Sequence, residues 1–292
     1  MRVFVTGGTG TIGSAVVREL IARSHRVFAL ARSDEAAGRL AGWGAIPVGG
    51  DMTAPEQWTA TLPDLDAFVH AACDFSPQME TIERRLLDLL LPALASQPRD
   101  IRFVYTGGCW LFGATGEAIA TEETPFRPLP AFAWMIAHLQ RVLAAPEIHG
   151  IVIHPAMVYE PAGGVFSRFA REASEARAVR VVASEAVRWP LVHSEDLAVL
   201  YALGLAHAPA GSSYIGAAIE GWQVGRIARA FAKRSGGPQE PAIISPDAIA
   251  AELGDWAKGY ALDQRLSGAK ARHDLGWRPK HLDPEAEIAA LA

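Results

Sequence analysis

The sequence predicts a doubly wound α/β fold, a parallel sheet with helices on both faces, followed by a smaller C-terminal substrate domain. Three observations predict it. Short apolar runs alternate with helical segments of ten or more residues through the first 155 positions. A glycine-rich turn joins the first apolar run directly to the first amphipathic segment. Beyond residue 155 the alternation loosens into shorter pieces punctuated by Gly and Pro.

Residues 2–6 (RVFVT) have the composition of a buried parallel strand. Residues 7–13 form the turn, and residues 14–23 set Val16, Val17, Leu20 and Ile21 on one helical face. Residues 25–31, 45–48 and 67–70 are the second, third and fourth strands. A leucine-rich helix over 82–95 leads to a fifth strand at 101–105, which ends at Thr106-Gly107-Gly108. A helix over 131–144 and a sixth strand over 150–154 complete the alternation. The remainder predicts a loop over 155–164, a helix over 166–178 and a strand over 180–182. A helix over 194–206 follows, with Ser194 as N-cap and Glu195 and Asp196 in its first turn. Residues 213–215 resemble another strand, and 224–231 and 246–253 are helical. This assigns 1–155 to a nucleotide-binding domain, completed by roughly 184–210, and 156–183 with 211–292 to a substrate-binding annex.

Composition narrows the function. Half of the 292 residues are hydrophobic and 20% are charged, enough for a sizeable core and against disorder. A net charge of −5 argues against nucleic acid as a partner. No apolar run reaches the ~18 residues of a membrane span, and a strand close behind Met1 leaves no room for a signal peptide. The expectation is a cytoplasmic protein with a small-molecule substrate. Cys73 and Cys109 make no disulfide framework, and no metal-ligand spacing occurs, so no metal is expected. The only lysines are Lys233, Lys258, Lys270 and Lys280, which restricts the catalytic machinery available to the first 232 residues.

Thr6-Gly7-Gly8-Thr9-Gly10-Thr11-Ile12-Gly13 carries G-x-x-G-x-x-G between a strand and a helix. Gly7 permits the tight turn, Gly10 lets backbone approach a pyrophosphate, and Gly13 lets the helix pack close to the strand. The helix N-terminus offers N–H groups and partial positive charge to phosphates. The second strand ends Ala31-Arg32-Ser33 with no acid at its tip. An acid there would hold a ribose 2′-OH. Arg32 instead can clamp a 2′-phosphate, so NADP(H) is expected ahead of NAD(H), although Asp34 and Glu35 are close enough to be recruited for the latter.

With these motifs the chain resembles the extended short-chain dehydrogenase/reductase superfamily, the NAD(P)-dependent epimerases, dehydratases and reductases, whose nucleotide domain is of Rossmann type. Further blocks carry the resemblance: Gly50-Asp51-Met52, Val69-His70-Ala71-Ala72, the stretch 103–113 (FVYTGGCWLFG), 190–198 (PLVHSEDLA) and 269–279 (AKARHDLGWRP). The resemblance implies a cofactor-binding set of Gly7, Thr9, Gly10, Thr11, Ile12, Gly13, Arg32, Asp51, Met52, His70, Ala71, Ala72, Thr106 and Pro155. It gives His193 a structural role. Dimerisation through sheet-flanking helices is common in the superfamily, and the apolar stretches 86–94 and 132–143 would suit a homodimer.

The resemblance breaks at the chemistry. The superfamily uses Ser or Thr after the fifth strand and Y-x-x-x-K on the next helix, where Tyr handles the proton and Lys lowers its pKa. Those positions fall on Gly108, Phe132 and Ile136. Moreover, the five tyrosines (105, 159, 201, 214, 260) are followed four residues on by Cys109, Gly163, Leu205, Ala218 and Gln264, so Y-x-x-x-K occurs nowhere. Substitute catalytic groups are Tyr159, Thr106 and Cys109, with Tyr159 the first choice as proton donor. His154 flanks the same loop, and Asp74 lies near the pocket mouth. His138 falls on a different helical face from Phe132 and Ile136. Trp110, Leu111, Phe112, Phe132, Trp134, Met135 and Ile136 are core or, where they line the site, imply a hydrophobic substrate. Arg168, Arg171 and Arg177 read as a solvated face. Three functions fit: an NADP(H)-dependent oxidoreductase reducing a small hydrophobic carbonyl or imine-like substrate, a catalytically silent NADP(H) sensor or scaffold, and a non-redox isomerase or lyase.

Overall fold

The computed structural model describes residues 1–291. Seven strands form one parallel sheet: β1 Arg2–Thr6, β2 Arg26–Ala31, β3 Ile46–Gly49, β4 Ala67–His70, β5 Arg102–Thr106, β6 His149–Pro155 and β11 Ser212–Gly216, in the order β11-β6-β5-β4-β1-β2-β3. Between them run α1 Thr11–Ala22, α2 Asp34–Gly42, α3 Met79–Ala95 and α4 Met135–Ala144. A second sheet has the order β12-β10-β7-β8, built from β7 Met157–Glu160, β8 Gly163–Gly164, β10 Arg188–His193 and β12 Ile219–Gln223. Between these lie α5 Ser167–Ser174, β9 Arg180–Val182 and α6 Ser194–His207. The chain closes with α7 Val224–Ser235, β13 Ala242–Ile244, α8 Pro246–Leu253, a 3-10 segment Asp255–Ala261, α9 Ala269–Leu275 and α10 Pro284–Ala289.

Parallel pairing aligns like with like along the sheet. Phe28, Phe4, Phe68 and Phe103 are in register across four neighbouring strands, and Gly150 continues the row on β6. Phe4 and Phe68 stack with centroids 5.1 Å apart, and Phe68 meets Phe103 edge-on at 5.6 Å. The row stops at Gly150 because α4 lies there: a Cβ would come 2.1 Å from the Val142 carbonyl oxygen. Helices α1 and α6 pack together, as do α3 and α4.

The second half differs from the sequence assignment in two places. β10, expected to complete the nucleotide domain, joins the small sheet beside β7, whereas β11, expected in the annex, forms an edge of the large sheet beside β6. The chain therefore passes between the two sheets three times, from β6 to β7, from β10 to β11 and from β11 to β12, and only long-range pairing decides where each short apolar run goes. Glu122 occupies a partner position on that edge, accepting the Ile215 N–H at 2.7 Å. The N-cap of α6 is His193 rather than Ser194. Its Nδ1 accepts from Glu195 N at 3.2 Å, while Ser194 Oγ donates to Glu160. The helix expected from residue 131 starts at Met135, because Pro130 opens a separate 3-10 turn, Pro130–Phe132.

The C-terminal segment is tied back by buried polar groups. Asp196 accepts Lys280 N and His281 N, and its carbonyl accepts Trp277 Nε1. Gln264 Nε2 donates to Cys109 O and Gly113 O. The leucines of α3 point into the chain's own core, and its exposed positions include Arg84, Arg85 and Asp88.

Arg168 departs from the expected solvated face, although Arg171 and Arg177 are exposed. Arg168 donates to Glu172 at 3.2 Å and to Arg180 O, and Arg180 Nε donates to Glu172 at 2.7 Å. The Glu172 side chain is 1% exposed. Removing one partner of such a group strands the others. Glu172→Ala is therefore expected to cost about 3–5 kcal/mol, measured by urea unfolding.

Candidate functional site

A cavity of about 900 Å³ opens at the C-terminal ends of the large sheet's strands, where doubly wound folds place ligands. Gly7, Thr9, Gly10, Thr11 and Ile12 line it from the first loop, Arg32 from the end of β2, and Asp51 and Met52 from the segment after β3. His70, Ala71 and Ala72 line it from the end of β4, Thr106 from β5 and Pro155 from β6. Gly13 is absent from the wall because its task is packing. A Cβ there would come 2.1 Å from Gly7 O, and one on Gly7 would come 2.5 Å from Ala71 O. Gly7 also holds φ +73, which favours glycine. At Gly10 the nearest neighbour of a Cβ would be 3.5 Å away, so its space is left to a ligand. No side chain caps α1 and no acid sits in its first turn, leaving the helix N-terminus free for an anion.

The model of the NAD dependent epimerase/dehydratase family matches residues 3–216. This chain belongs to that family. An uncharacterized protein of Schizosaccharomyces pombe is 27% identical over 301 aligned positions, covering 100% of this chain and 99% of that one. The 4-hydroxy-2-methyl-3-oxo-4-farnesyl-3,4-dihydroquinoline-1-oxide ketoreductase of Stigmatella aurantiaca is 27% identical over 169 residues, 54% of this chain and 51% of that one. Among solved structures, the human epimerase family protein SDR39U1 with NADPH superposes with a TM-score of 0.82 at 19% identity, covering 99% of this chain and 98% of that one. It shares the fold.

Of the positions where this family's resemblance places Ser, Tyr and Lys, Gly108 and Phe132 line the cavity and Ile136 does not. Nothing lies within 4 Å of a Cβ on Gly108, so its missing side chain leaves open space.

The substitute groups fare unequally. Tyr159 is not on the cavity wall. It is fully buried, stacks on Phe166 at 4.8 Å and places its hydroxyl 3.4 Å from Glu287 Oε1 and 3.5 Å from His281 O. Burial, then Glu287, pushes its pKa up. The pleat explains the miss: Val158 faces the cavity, and the next side chain turns away. Thr106 does line the cavity, but its hydroxyl donates to His70 O at 2.6 Å and lies 2.7 Å from Tyr201 OH. It positions backbone. Cys109 is buried with Sγ 3.8 Å from Met157 Sδ, and burial pushes its thiol up to about 12. It lines the cavity as a packed thiol. Asp74 lines the cavity, as expected. His138 is buried against Trp134.

Glu83, Tyr105 and Cys73 also line the cavity and were not among the site candidates read from sequence. Glu83 is 3% exposed on the same face of α3 as Leu86, Leu87 and Leu90. An acid on an apolar stripe was the available signal. It faces His70 Nε2 at 3.0 Å, and His70 Nδ1 lies 2.7 Å from Thr6 Oγ1. Both ring nitrogens of His70 are thus engaged within the protein. Tyr105 stacks on His70 at 5.6 Å, and burial followed by the charge of Glu83 raises its pKa. Burial pushes the Cys73 thiol up to about 11.

His193, His281 and Glu287 form a metal-capable grouping outside the cavity. Two of its nitrogens have protein partners: His193 Nδ1 caps α6, and His281 Nδ1 lies 3.2 Å from Glu287 Oε1.

His154 is buried beneath the turn after β5 and packs against Phe112 and Phe126 at 5.3 and 5.7 Å. A Cβ on Gly107 would come 2.4 Å from its Nδ1. Burial lowers its pKa to about 4 from 6.5. The unfolded chain takes up the proton first as pH falls, so His154 stabilises fully above pH 6.5 and loses that contribution on descent to about pH 4. The loss is roughly 3 kcal/mol. His154→Phe should flatten that part of the pH dependence, read by urea unfolding at each pH. In the same assay Gly13→Ala should cost about 1–3 kcal/mol, while Gly10→Ala should stay within about 0.5 kcal/mol of the parent.

Proposed function

We propose that the chain is an NADP(H)-dependent reductase of a small hydrophobic carbonyl or imine-like substrate, working without the Ser-Tyr-Lys set. One observation carries this reading. The cavity runs unbroken from the uncapped α1 N-terminus and the guanidiniums of Arg32 and Arg39 to an inner wall of Trp110, Phe132 and Trp256. Arg32 has no hydrogen bond or ion pair among the described residues, while Arg39 lies over Trp43. Asp34 and Glu35, the acids that could hold a free ribose 2′-OH, sit in the first turn of α2 and do not line the cavity. That favours a 2′-phosphate. The NADPH carried by the human neighbour and the ketoreductase activity of the Stigmatella protein support the same reading.

The first loop and the α1 N-terminus would hold the pyrophosphate, and Arg32 with Arg39 the 2′-phosphate. A reduced nicotinamide bound there supplies a hydride to the carbonyl carbon, and the carbonyl oxygen then needs one proton. Cys73, Cys109, Tyr105 and Tyr260 all retain their protons more firmly than usual. His70 and Glu83 border the inner wall but are bonded to each other and to Thr6, and Asp74 lies at the mouth. Phe132 and Trp110 exclude water from that end.

A silent sensor is the second reading, favoured by the lack of a proton-bearing side chain at Gly108, Phe132 and Ile136. Calorimetric titration with NADP⁺, NADPH, NAD⁺ and NADH tests both. Arg32→Ala should weaken NADPH about 10- to 100-fold, as loss of a charge-assisted bond does, and leave NADH unchanged. NADPH consumption with an aromatic ketone or imine separates the reductase from the sensor. No binding of any of the four nucleotides removes both.

A further inference from the structure

Six aromatic residues meet at the inner end of the cavity: Phe75, Trp110, Phe132, Trp134, Trp256 and Tyr260. Trp110 is the hub, with ring centroids 5.5 Å from Phe132, 6.1 Å from Trp256 and 5.7 Å from Tyr260. Its indole lies on the backbone of Gly259, where a Cβ would come 2.4 Å from the ring. Trp134 donates its indole N–H to Ala131 O, whereas the buried indole N–H of Trp110 has no acceptor. Trp256 and Tyr260 come from the 3-10 segment, which is anchored by Trp189 Nε1 donating to Tyr260 O.

Phe75 stands apart. It is 47% exposed, and its φ is +55, a region that bulky residues avoid. Asp74 Oδ1 holds the loop by accepting Ser76 N at 3.0 Å. The result sets the Phe75 ring 5.1 Å from Trp256 and 6.3 Å from Phe132, at the mouth of the box. Strain of this kind persists where the surroundings enforce it, and it gathers at ligand clamps.

Charge narrows the guest further. Among the described residues, the only lysines or arginines on the cavity wall are Arg32 and Arg39, on the β2 and α2 side. The charged side chains of the inner end are Asp74 and Glu83, both acids, so nothing there would hold a carboxylate or diphosphate.

We propose that this box takes a planar, uncharged aromatic carbonyl compound, clamped by Phe75 against Trp110 and Phe132. The carbonyl part of this assignment rests on the reductase reading above, whereas the planar aromatic part does not. A flat guest presents ring edges and faces to tilted walls, which a saturated ring of equal size cannot do.

Calorimetry on the full chain at neutral pH, with and without NADP⁺, compares acetonaphthone with acetyldecalin, its saturated-ring counterpart, and naphthoate, its anionic one. Acetonaphthone should bind at least about tenfold more tightly than either. Phe75→Ala removes an exposed ring and should weaken it about three- to tenfold, and Trp256→Leu should do the same. Equal affinities for acetonaphthone and acetyldecalin, no acetonaphthone binding, or indifference to both variants overturns the proposal. NADPH titration in the same protein is independent: its failure removes the reductase reading while the aromatic preference is still measured.

Discussion

Helix α1 can begin where it does only because residue 13 has no side chain. Its Cα faces the carbonyl of Gly7 at a distance that no Cβ would tolerate, and Gly7 is pressed in turn against the Ala71 backbone. Those two contacts bring β1, β4 and the start of α1 into one rigid corner. The corner points the helix N-terminus at the cavity and fixes the floor on which a phosphate-bearing ligand would rest. Everything downstream is aligned from it, because β4 carries His70 and pairs with β5, whose end carries Thr106.

A buried polar chain runs beside that corner. Thr6 meets His70, and His70 meets Glu83 across the gap between sheet and helix. A carboxylate this deep needs partners, and His70 supplies one without surrendering its contact to Thr6. The same pair borders the cavity, so the groups that tie α3 to the sheet also give the inner wall its acid.

The second lobe is tied to the first by anchors spread along the chain. Asp196 gathers the segment around Trp277 and Lys280, and Gln264 joins the segment after the 3-10 turn to the loop after β5. Trp256 and Tyr260 reach the cavity from that segment. The outer end of the cavity belongs to the first lobe, and the aromatic end is shared by Trp110 and Phe132 of one lobe with Trp256 and Tyr260 of the other. The two ends can therefore differ in chemistry without disturbing the sheet.

Most of the large sheet was legible because its signals are local. The alternation of apolar runs, the glycine spacing and the blocks around Asp51 and His70 each act within a few residues, and the residues they single out line one end of the cavity. The loss of Y-x-x-x-K was equally plain from the tyrosine positions alone. What the sequence could not determine depended on pairing and facing. β10 and β11 are short apolar runs whose partner sheet is chosen by contacts far along the chain. Tyr159 and Val158 are neighbours in sequence, yet the pleat sends one to the core and the other to the cavity. Glu83 looked like one acid among many until α3 turned it against His70, and Trp256 and Tyr260 joined the site only once the C-terminal segment folded back. Local chemistry determined the scaffold and where a nucleotide would lie. Long-range packing decided which side chains face the cavity, because facing is a property of assembled elements and not of their order.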